Sequence, residues 1–309
     1  MNSLITIILP AGRSAIELSL FVLLPVMVVM LAIMRLLEAW GVLDWLVARL
    51  TPVLRPFGLT GLGVFAALQV SFVSFAAPVA TLAMMEQRGT SKRHLAAAFA
   101  MVLAMAQANA VFPMGALGLH IGPVLGISLV GGLLAAAAAY YLFGRNLSAD
   151  EQVLDETLRH PVAESAKGVL DVINRAGAEA FKIAIGAIPM LVLSLTVVTA
   201  LRQGGAVDAL VRALPSGLGI DPAVILPAFT KYLAGGTAML GVIDEQVRGG
   251  HVTAAQMNAW AGLLIHPLDL PGVAVLMAAG PRVASIWKPA VLGALLGIAL
   301  RSALHILLV

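Results

Sequence analysis

The segment GVLDWLVARL, from Gly41 to Leu50, has a counterpart in GAVDALVRAL, from Gly205 to Leu214. The apolar residues of the first copy fall at helical spacing, as in a helix that lies on a membrane surface. Each copy follows a long apolar stretch that contains a proline, Pro25 in one and Pro189 in the other. An offset of about 160 residues is too long for a solenoid repeat and is typical of a duplicated transporter half. The repeat therefore predicts a chain built of two related halves.

The composition predicts that both halves are embedded in lipid. Of the 309 residues, 60% are hydrophobic and only 11% are charged, and the mean hydropathy is +0.98. Stretches such as 16–34, 121–143 and 183–200 approach the roughly 20 residues that a membrane-spanning helix needs, and they lack the alternation of barrel strands. We expect an all-α integral membrane protein that crosses the bacterial inner (plasma) membrane several times.

Charge and motif content argue against several other functions. The net charge is +3, but the Lys and Arg residues lie mainly at the ends of apolar stretches, which indicates membrane topology and not nucleic-acid binding. The chain has no cysteine, so disulfides, thiolate metal sites and a cysteine nucleophile are excluded. It has neither a GxxxxGK[ST] loop nor an HExxH motif. We expect no enzyme and no cofactor, although Na⁺ or H⁺ as a coupling ion is compatible with the sequence.

One charge-dense stretch separates the halves. We divide the chain into a first membrane repeat at 1–144, a water-exposed linker at 145–174 and a second membrane repeat at 175–309. Within the linker, Ser148 and Glu151 have the spacing of a capping box, which predicts a short soluble helix.

Each half also contains an interrupted apolar segment, 63–86 in the first and 224–245 in the second. Each segment is long enough to span the bilayer as one helix, which would give eight spanning helices. Broken at 74–78 or at the Gly235–Gly236 pair, each would instead form a re-entrant hairpin with arms of roughly 16 Å. The positive-inside rule favours hairpins with the N-terminus outside. The prediction is then six transmembrane helices and two hairpins in two inverted repeats, with interfacial helices.

The two interrupted segments also carry a resemblance. FAAPVATLAMMEQ, at 75–87, resembles the signature of spore maturation protein A, and LAGGTAMLGVIDE, at 233–245, resembles that of protein B. Both belong to the nucleoside-recognition, or Gate, group, and similar segments occur in concentrative nucleoside transporters and in the membrane gate of ferrous iron transporter B. The resemblance implies paired hairpins around a central site, without specifying the solute.

Polar residues within apolar stretches are costly, so those near helix breaks are candidate substrate-binding residues. In the first half they are Gln69, Ser74, Gln107 and Asn109. Amide side chains can both donate and accept hydrogen bonds, either to a solute or between helices, and both roles are open.

In the second half the candidates are Lys231, Thr237, His266 and Asp269. The stretch LLIHPLDLPG contains two prolines that should open the helix, so that freed carbonyls, a carboxylate and an imidazole lie together. A cation site or a proton-coupled site would use these groups, and a structural pair between Asp269 and Lys231 is the alternative. Whether the chain binds a metal is unknown, because the spacing of the methionines suits helix packing as well as it suits metal binding.

The sequence thus predicts a transporter-like protein that moves a small polar solute or ion by alternating access. The alternative is a non-transporting membrane scaffold or regulator that acts through partner proteins or through a homo-oligomer. The small-residue run at 131–139 suits close helix packing either between subunits or within one chain. The predicted partners are a small polar solute or ion and the lipid bilayer, a homo-oligomer is left open, and nucleic acid is not expected.

Overall fold

The computed structural model describes residues 2–149, 168–205, 209 and 221–309, and within these residues every regular element is a helix. Seven helices form the first half: α1 (Asn2–Glu17, continued by a π-helical turn at Leu18–Leu23 and by Leu24–Ala39), α2 (Val42–Leu54), α3 (Gly61–Phe72), α4 (Pro78–Gln87), α5 (Lys92–Ala104), α6 (Ala108–Gly115) and α7 (Ile121–Ala137, continued by a π-helical turn at Ala138–Phe143). The described part of the second half contains α8 (Val169–Gln203), α9 (Ile225–Ala234), α10 (Gly236–Arg248), α11 (Ala254–Leu264), α12 (Leu270–Met277), α13 (Pro281–Ser285) and α14 (Trp287–Leu308).

Several of these helices are long enough and apolar enough to cross a membrane. By length and composition, the described residues supply five such spans: Ile5–Ala39, Lys92–Gly115, Ile121–Phe143, Val169–Leu201 and Trp287–Leu308. The second of these contains the break between α5 and α6. An all-helical, multi-pass membrane protein is therefore confirmed.

The two interrupted segments form hairpins. The arms α3 and α4 pack against each other, and so do α9 and α10. At 1.5 Å per residue the 12 residues of α3 extend about 18 Å, well short of the roughly 30 Å of the hydrocarbon layer. Before the first hairpin, the chain bends by 105° between Val42–Phe57 and Gly61–Phe72. The short, mutually packed arms favour re-entrant hairpins over the alternative of eight spanning helices.

The backbone repeats the internal duplication seen in the sequence. Gly41 and Gly205, at the ends of the two long helices, have φ angles of 71° and 72°. Gly89 and Gly250, which follow the two hairpins, have φ angles of 75° and 70°. These left-handed conformations suit glycine because it has no Cβ. The same turns therefore recur at the same places in the two halves.

Two predictions fall largely outside the described residues. The second copy of the interfacial segment, 205–214, is described only at 205 and 209. Of the predicted linker at 145–174, the structure describes 145–149 and 168–174, so Glu151 of the expected capping box is not among the described residues. Helix α8 begins at Val169, inside the stretch predicted as linker.

The core lies around α5, whose residues 95–104 are all buried. Its alanines let α7 and α14 approach closely, and these two helices also pack on each other. A Cβ on Gly293 or Gly297 of α14 would overlap the backbone of α7 at Ala135 or Gly131. The small-residue run at 131–139 is therefore used for packing within one chain.

Candidate substrate-binding site

A cavity of about 320 Å³ lies where the two hairpin tips meet the two helix breaks. Its polar groups come from both tips and from the starts of α6 and α12, and apolar residues of α1 and α8 also line it. The lining residues are Leu23, Met27, Ser74, Phe75, Ala76, Gln107, Asn109, Ile183, Ala184, Leu191, Ala234, Gly235, Gly236, Thr237, Ala238, Asp269, Pro271 and Val275. The cavity thus draws on both repeats.

The tip of the second hairpin depends on two glycines. Gly235 has φ 92° and ψ 169°, a conformation that is essentially restricted to glycine. A Cβ on Gly236 would overlap the side-chain amide of Gln107. The Gly235–Gly236 pair therefore makes the sharp reversal and brings the start of α10 against the first helix break.

Asn109 joins the two hairpin tips. Its Oδ1 accepts a hydrogen bond from the backbone N–H of Phe75 in the first tip, at 3.3 Å. Its Nδ2 donates to Oγ1 of Thr237 in the second tip, also at 3.3 Å. One buried side chain thus connects the polar ends of both repeats.

Asp269 both lines the cavity and stabilises the second break. Its Oδ1 accepts from the backbone N–H of Gly272 at 2.7 Å and so caps the N-terminus of α12. Its Oδ2 lies 3.7 Å from Nζ of Lys231. The structural pair between these residues is therefore present, and the carboxylate still faces the cavity.

Lys231 and His266 lie behind the cavity wall, and both are fully buried. The Lys231 Nζ lies 2.9 Å from Nδ1 of His266 and donates to the carbonyl of Leu268 at 2.6 Å. The Leu268 N–H also points at Nδ1, at 3.1 Å, so this ring nitrogen acts as an acceptor. These contacts hold the non-helical segment between α11 and α12 in place.

The structure thus brings five of the eight predicted residues to one cavity: Ser74, Gln107, Asn109, Thr237 and Asp269. The other three do not line it. Lys231 and His266 support Asp269 from behind. Gln69 accepts a hydrogen bond from Thr81 at 2.7 Å and so links the two arms of the first hairpin.

Sequence reasoning missed Arg301, which is fully buried in α14. Its Nη1 donates to the carbonyl of Ala104, the last residue of α5, and its Nη2 donates to the carbonyl of Ile265, which caps α11, at 3.0 Å. One guanidinium thereby satisfies backbone acceptors at both breaks, as a membrane interior requires. The available signal was a lone arginine within a 22-residue apolar helix.

The first break has one more internal partner. The N–H of Ala106 donates to Oγ of Ser128 in α7 at 2.6 Å. Side chains of neighbouring helices therefore replace the missing helical hydrogen bonds. Among the residues that the structure describes, no group of three or more His, Asp or Glu side chains is placed to hold a metal ion.

Comparison with known proteins agrees with this geometry. Residues 20–124, which include the first hairpin and the first break, match the Gate family, described as nucleoside recognition. The chain is similar to CNTnw, a concentrative nucleoside transporter, in an inward-facing substrate-bound state, with a TM-score of 0.65, 16% identity and coverage of 92% of this chain and 74% of that one. A CNTnw variant in an outward-facing state gives a TM-score of 0.65 at 17% identity and covers 100% and 85% of the two chains. The chain shares the concentrative nucleoside transporter fold.

The likeness does not single out one conformational state. A CNTnw variant in the intermediate 3 state has a TM-score of 0.64 at 16% identity, close to the values for the inward- and outward-facing structures. No curated protein sequence matches the chain. The match to the Gate family confirms the predicted resemblance for residues 20–124. The similarity to the solved transporters is one of fold.

Proposed function

We propose that this protein carries a small polar solute or ion across the membrane by alternating access. The observation that carries this proposal is the cavity between the two hairpin tips, where Asn109 hydrogen-bonds to both repeats. A binding site at the interface of two repeats is accessible from either side when one set of helices moves against the other. Broken helices within a bilayer are costly, and lining such a site is their usual role.

The comparisons support this proposal through the fold. CNTnw and its variants have been solved in inward-facing, outward-facing and intermediate states. A protein of this fold is therefore able to change its access without changing its architecture. That the present chain carries a solute, and that an ion gradient drives it, are both proposals.

Coupling would involve the buried cluster behind the second break. Asp269 is the carboxylate that lines the cavity, and Lys231 and His266 contact one another directly behind it. An ion that enters the cavity, whether H⁺ or Na⁺, would therefore act on a paired charge.

Uptake into proteoliposomes tests the proposal. The purified chain is reconstituted and supplied with labelled uridine, adenosine, benzoate and hexanoate under a Na⁺ or H⁺ gradient. We expect saturable uptake of at least one compound, and we expect Asn109→Leu to reduce it at least tenfold, since both tip contacts are lost. Asn146→Leu, at an exposed position after α7, is the matched control and should retain uptake.

Absence of uptake for every compound and gradient would favour the scaffold alternative. The scaffold would use the small-residue run between subunits, but its two glycines, Gly131 and Gly132, pack against α14 and α5 of the same chain. These contacts support a role of the glycines within one chain, and transport is the function that we propose.

A further inference from the structure

The polar part of the cavity lining offers hydrogen-bond donors. Helices α6 and α10 both begin at the cavity, and no side chain caps either N-terminus. The first N–H groups of a helix have no partner within the helix, and the helix dipole adds a positive partial charge there. A third helix, α12, also begins at the cavity, but Asp269 already caps it. Two helix N-termini therefore remain open to a ligand.

Gln107 provides a second, independent indication. The residue is 1% exposed, it lines the cavity, and its Nε2 has no hydrogen-bond partner among the described residues. It lies against Gly236, the first residue of α10. A buried amide donor without a partner costs about 1–3 kcal/mol. An acceptor placed between this amide and the two helix starts would satisfy all three.

The charged groups around the cavity already have partners, which leaves neutral donors to hold a ligand. The carboxylate of Asp269 is compensated by Lys231 and by the N-terminus of α12. Arg301 is directed at the C-terminal carbonyls of α5 and α11, and His266 is held by Lys231 and Leu268. No lysine or arginine of the described chain lines the cavity itself. Helix N-termini and amide donors can hold the single charge of a carboxylate without a side-chain cation.

The apolar part of the lining from α1 and α8 suits an apolar body on the same ligand. This part consists of Leu23 and Met27 from α1 and of Ile183 and Leu191 from α8. A ligand that placed hydroxyl or amide groups against this surface would leave them without partners, which is unfavourable. The cavity therefore offers both hydrogen-bond donors and an apolar surface to one ligand.

We propose that the transported solute is a small organic monocarboxylate with an apolar body. Its carboxylate accepts hydrogen bonds from Nε2 of Gln107 and from the N–H groups at the starts of α6 and α10, and its body lies against α1 and α8. This inference rests on the proposed transport function and specifies the substrate class of the same site. The proposed binding needs no metal ion and no lipid.

Two pairs of compounds of equal shape test the charge requirement. Benzoate is compared with benzamide, and hexanoate with hexanamide, by calorimetric titration of the full detergent-purified chain, with uridine as a neutral solute of different class. Each carboxylate should bind about tenfold more tightly than its amide, as two helix termini allow. In Gln107→Glu the preference should disappear, because the donor is replaced by a like charge. Gln107→Leu should weaken carboxylate binding without introducing a charge.

A matched control separates this effect from a general change of charge. Gln87→Glu makes the same substitution at the exposed last residue of α4, and the carboxylate preference should persist in this variant. Equal or tighter binding of the amides would overturn the inference, as would a preference that survives in Gln107→Glu. Binding and uptake of uridine without binding of either acid would also overturn it, but would leave the transport proposal standing. Absence of binding and uptake for all compounds would overturn both.

Discussion

Asp269 performs three tasks at once: it caps α12, pairs with Lys231 and faces the cavity. An Asp269→Asn variant keeps an acceptor for the N–H of Gly272 but leaves the lysine without its counter-charge. Removing one partner of a buried pair costs about 3–5 kcal/mol, so we expect a clear loss of thermal stability in detergent as well as a loss of uptake.

The double variant Asp269→Asn/Lys231→Met separates the two effects. It removes the buried lysine together with the carboxylate, so its thermal stability should return close to that of the unmodified chain, while uptake stays low. Recovery of uptake in the double variant would show that the carboxylate acts only through the lysine. Equal stability of the single variant and the unmodified chain would contradict the pairing.

Individual site residues were predictable where a polar group interrupts an apolar stretch. Gln107, Asn109 and Asp269 stand out in this way, and all three line the cavity. What the sequence could not provide was the partner of each group. The link from Asn109 to Thr237 spans 128 residues, and no local pattern specifies it. Lys231 was a candidate for the same reason as Asp269, yet it contacts the wall from behind.

At the scale of the element, each hairpin must keep its arms together in a medium that gives no hydrophobic driving force between helices. In the first hairpin, the hydrogen bond from Thr81 to Gln69 links the arms across the tip. Gln69→Leu and Thr81→Val should each lower stability by about 1 kcal/mol. The double variant should lose less stability than the two single variants lose together. Thermal unfolding of the unmodified chain and the three variants measures this. Full additivity would show that the bond is energetically unimportant.

The backbone conformation at the tip of the second hairpin allows a sharper prediction. An alanine at Gly235 would be forced into a conformation that L residues rarely adopt, at a cost of about 1–3 kcal/mol. Gly235→Ala should therefore lower the unfolding temperature and reduce uptake. Gly126→Ala is the matched control, since this glycine lies in the interior of α7 and its new Cβ would meet nothing within 4 Å. It should be neutral or stabilising by up to about 1 kcal/mol. Equal effects at both positions would argue against strain at the tip.

The hairpins and the second break were predictable because proline and glycine mark them directly, whereas the first break, at 105–107, contains neither residue. The Gly235–Gly236 pair and the prolines near 267–271 lie where the helices end. The role of Arg301 was not predictable in the same way, since its partners are two backbone carbonyls of distant helices. Those carbonyls are free only because the helices are broken. The residue that satisfies a break can therefore be recognised only once the fold places it there.

At the scale of the whole molecule, the two long helices complete the site. Neither α1 nor α8 carries a predicted site residue, yet apolar residues of both helices line the cavity. They also contact each other, and Arg35 of α1 forms an ion pair with Glu179 of α8 at 2.9 Å. Apolar residues in an apolar helix give no local signal. The sequence therefore predicted the polar residues of the cavity but not the apolar residues of α1 and α8 that line it.

The arrangement of the repeats gives the last prediction. With re-entrant hairpins, and with the broken pair α11 and α12 counted as one crossing in the way that α5 and α6 are, each half has three crossings. Three is an odd number, so equivalent turns of the two halves lie on opposite sides of the membrane. With eight spanning helices, they would lie on the same side. Because the chain has no cysteine, a single one can be introduced at Gln87, after the first hairpin, or at His251, after the second, both of which are exposed.

Labelling of these two variants with a membrane-impermeant maleimide, in intact cells and in inverted vesicles, decides between the arrangements. We expect Gln87→Cys to react only in inverted vesicles, because Arg88, Lys92 and Arg93 close by favour the cytoplasmic side. His251→Cys should then react only in intact cells. Reaction of both variants from the same side would refute the inverted repeat. It would also remove the basis for alternating access, since that motion requires the two hairpin tips to approach the cavity from opposite faces of the membrane.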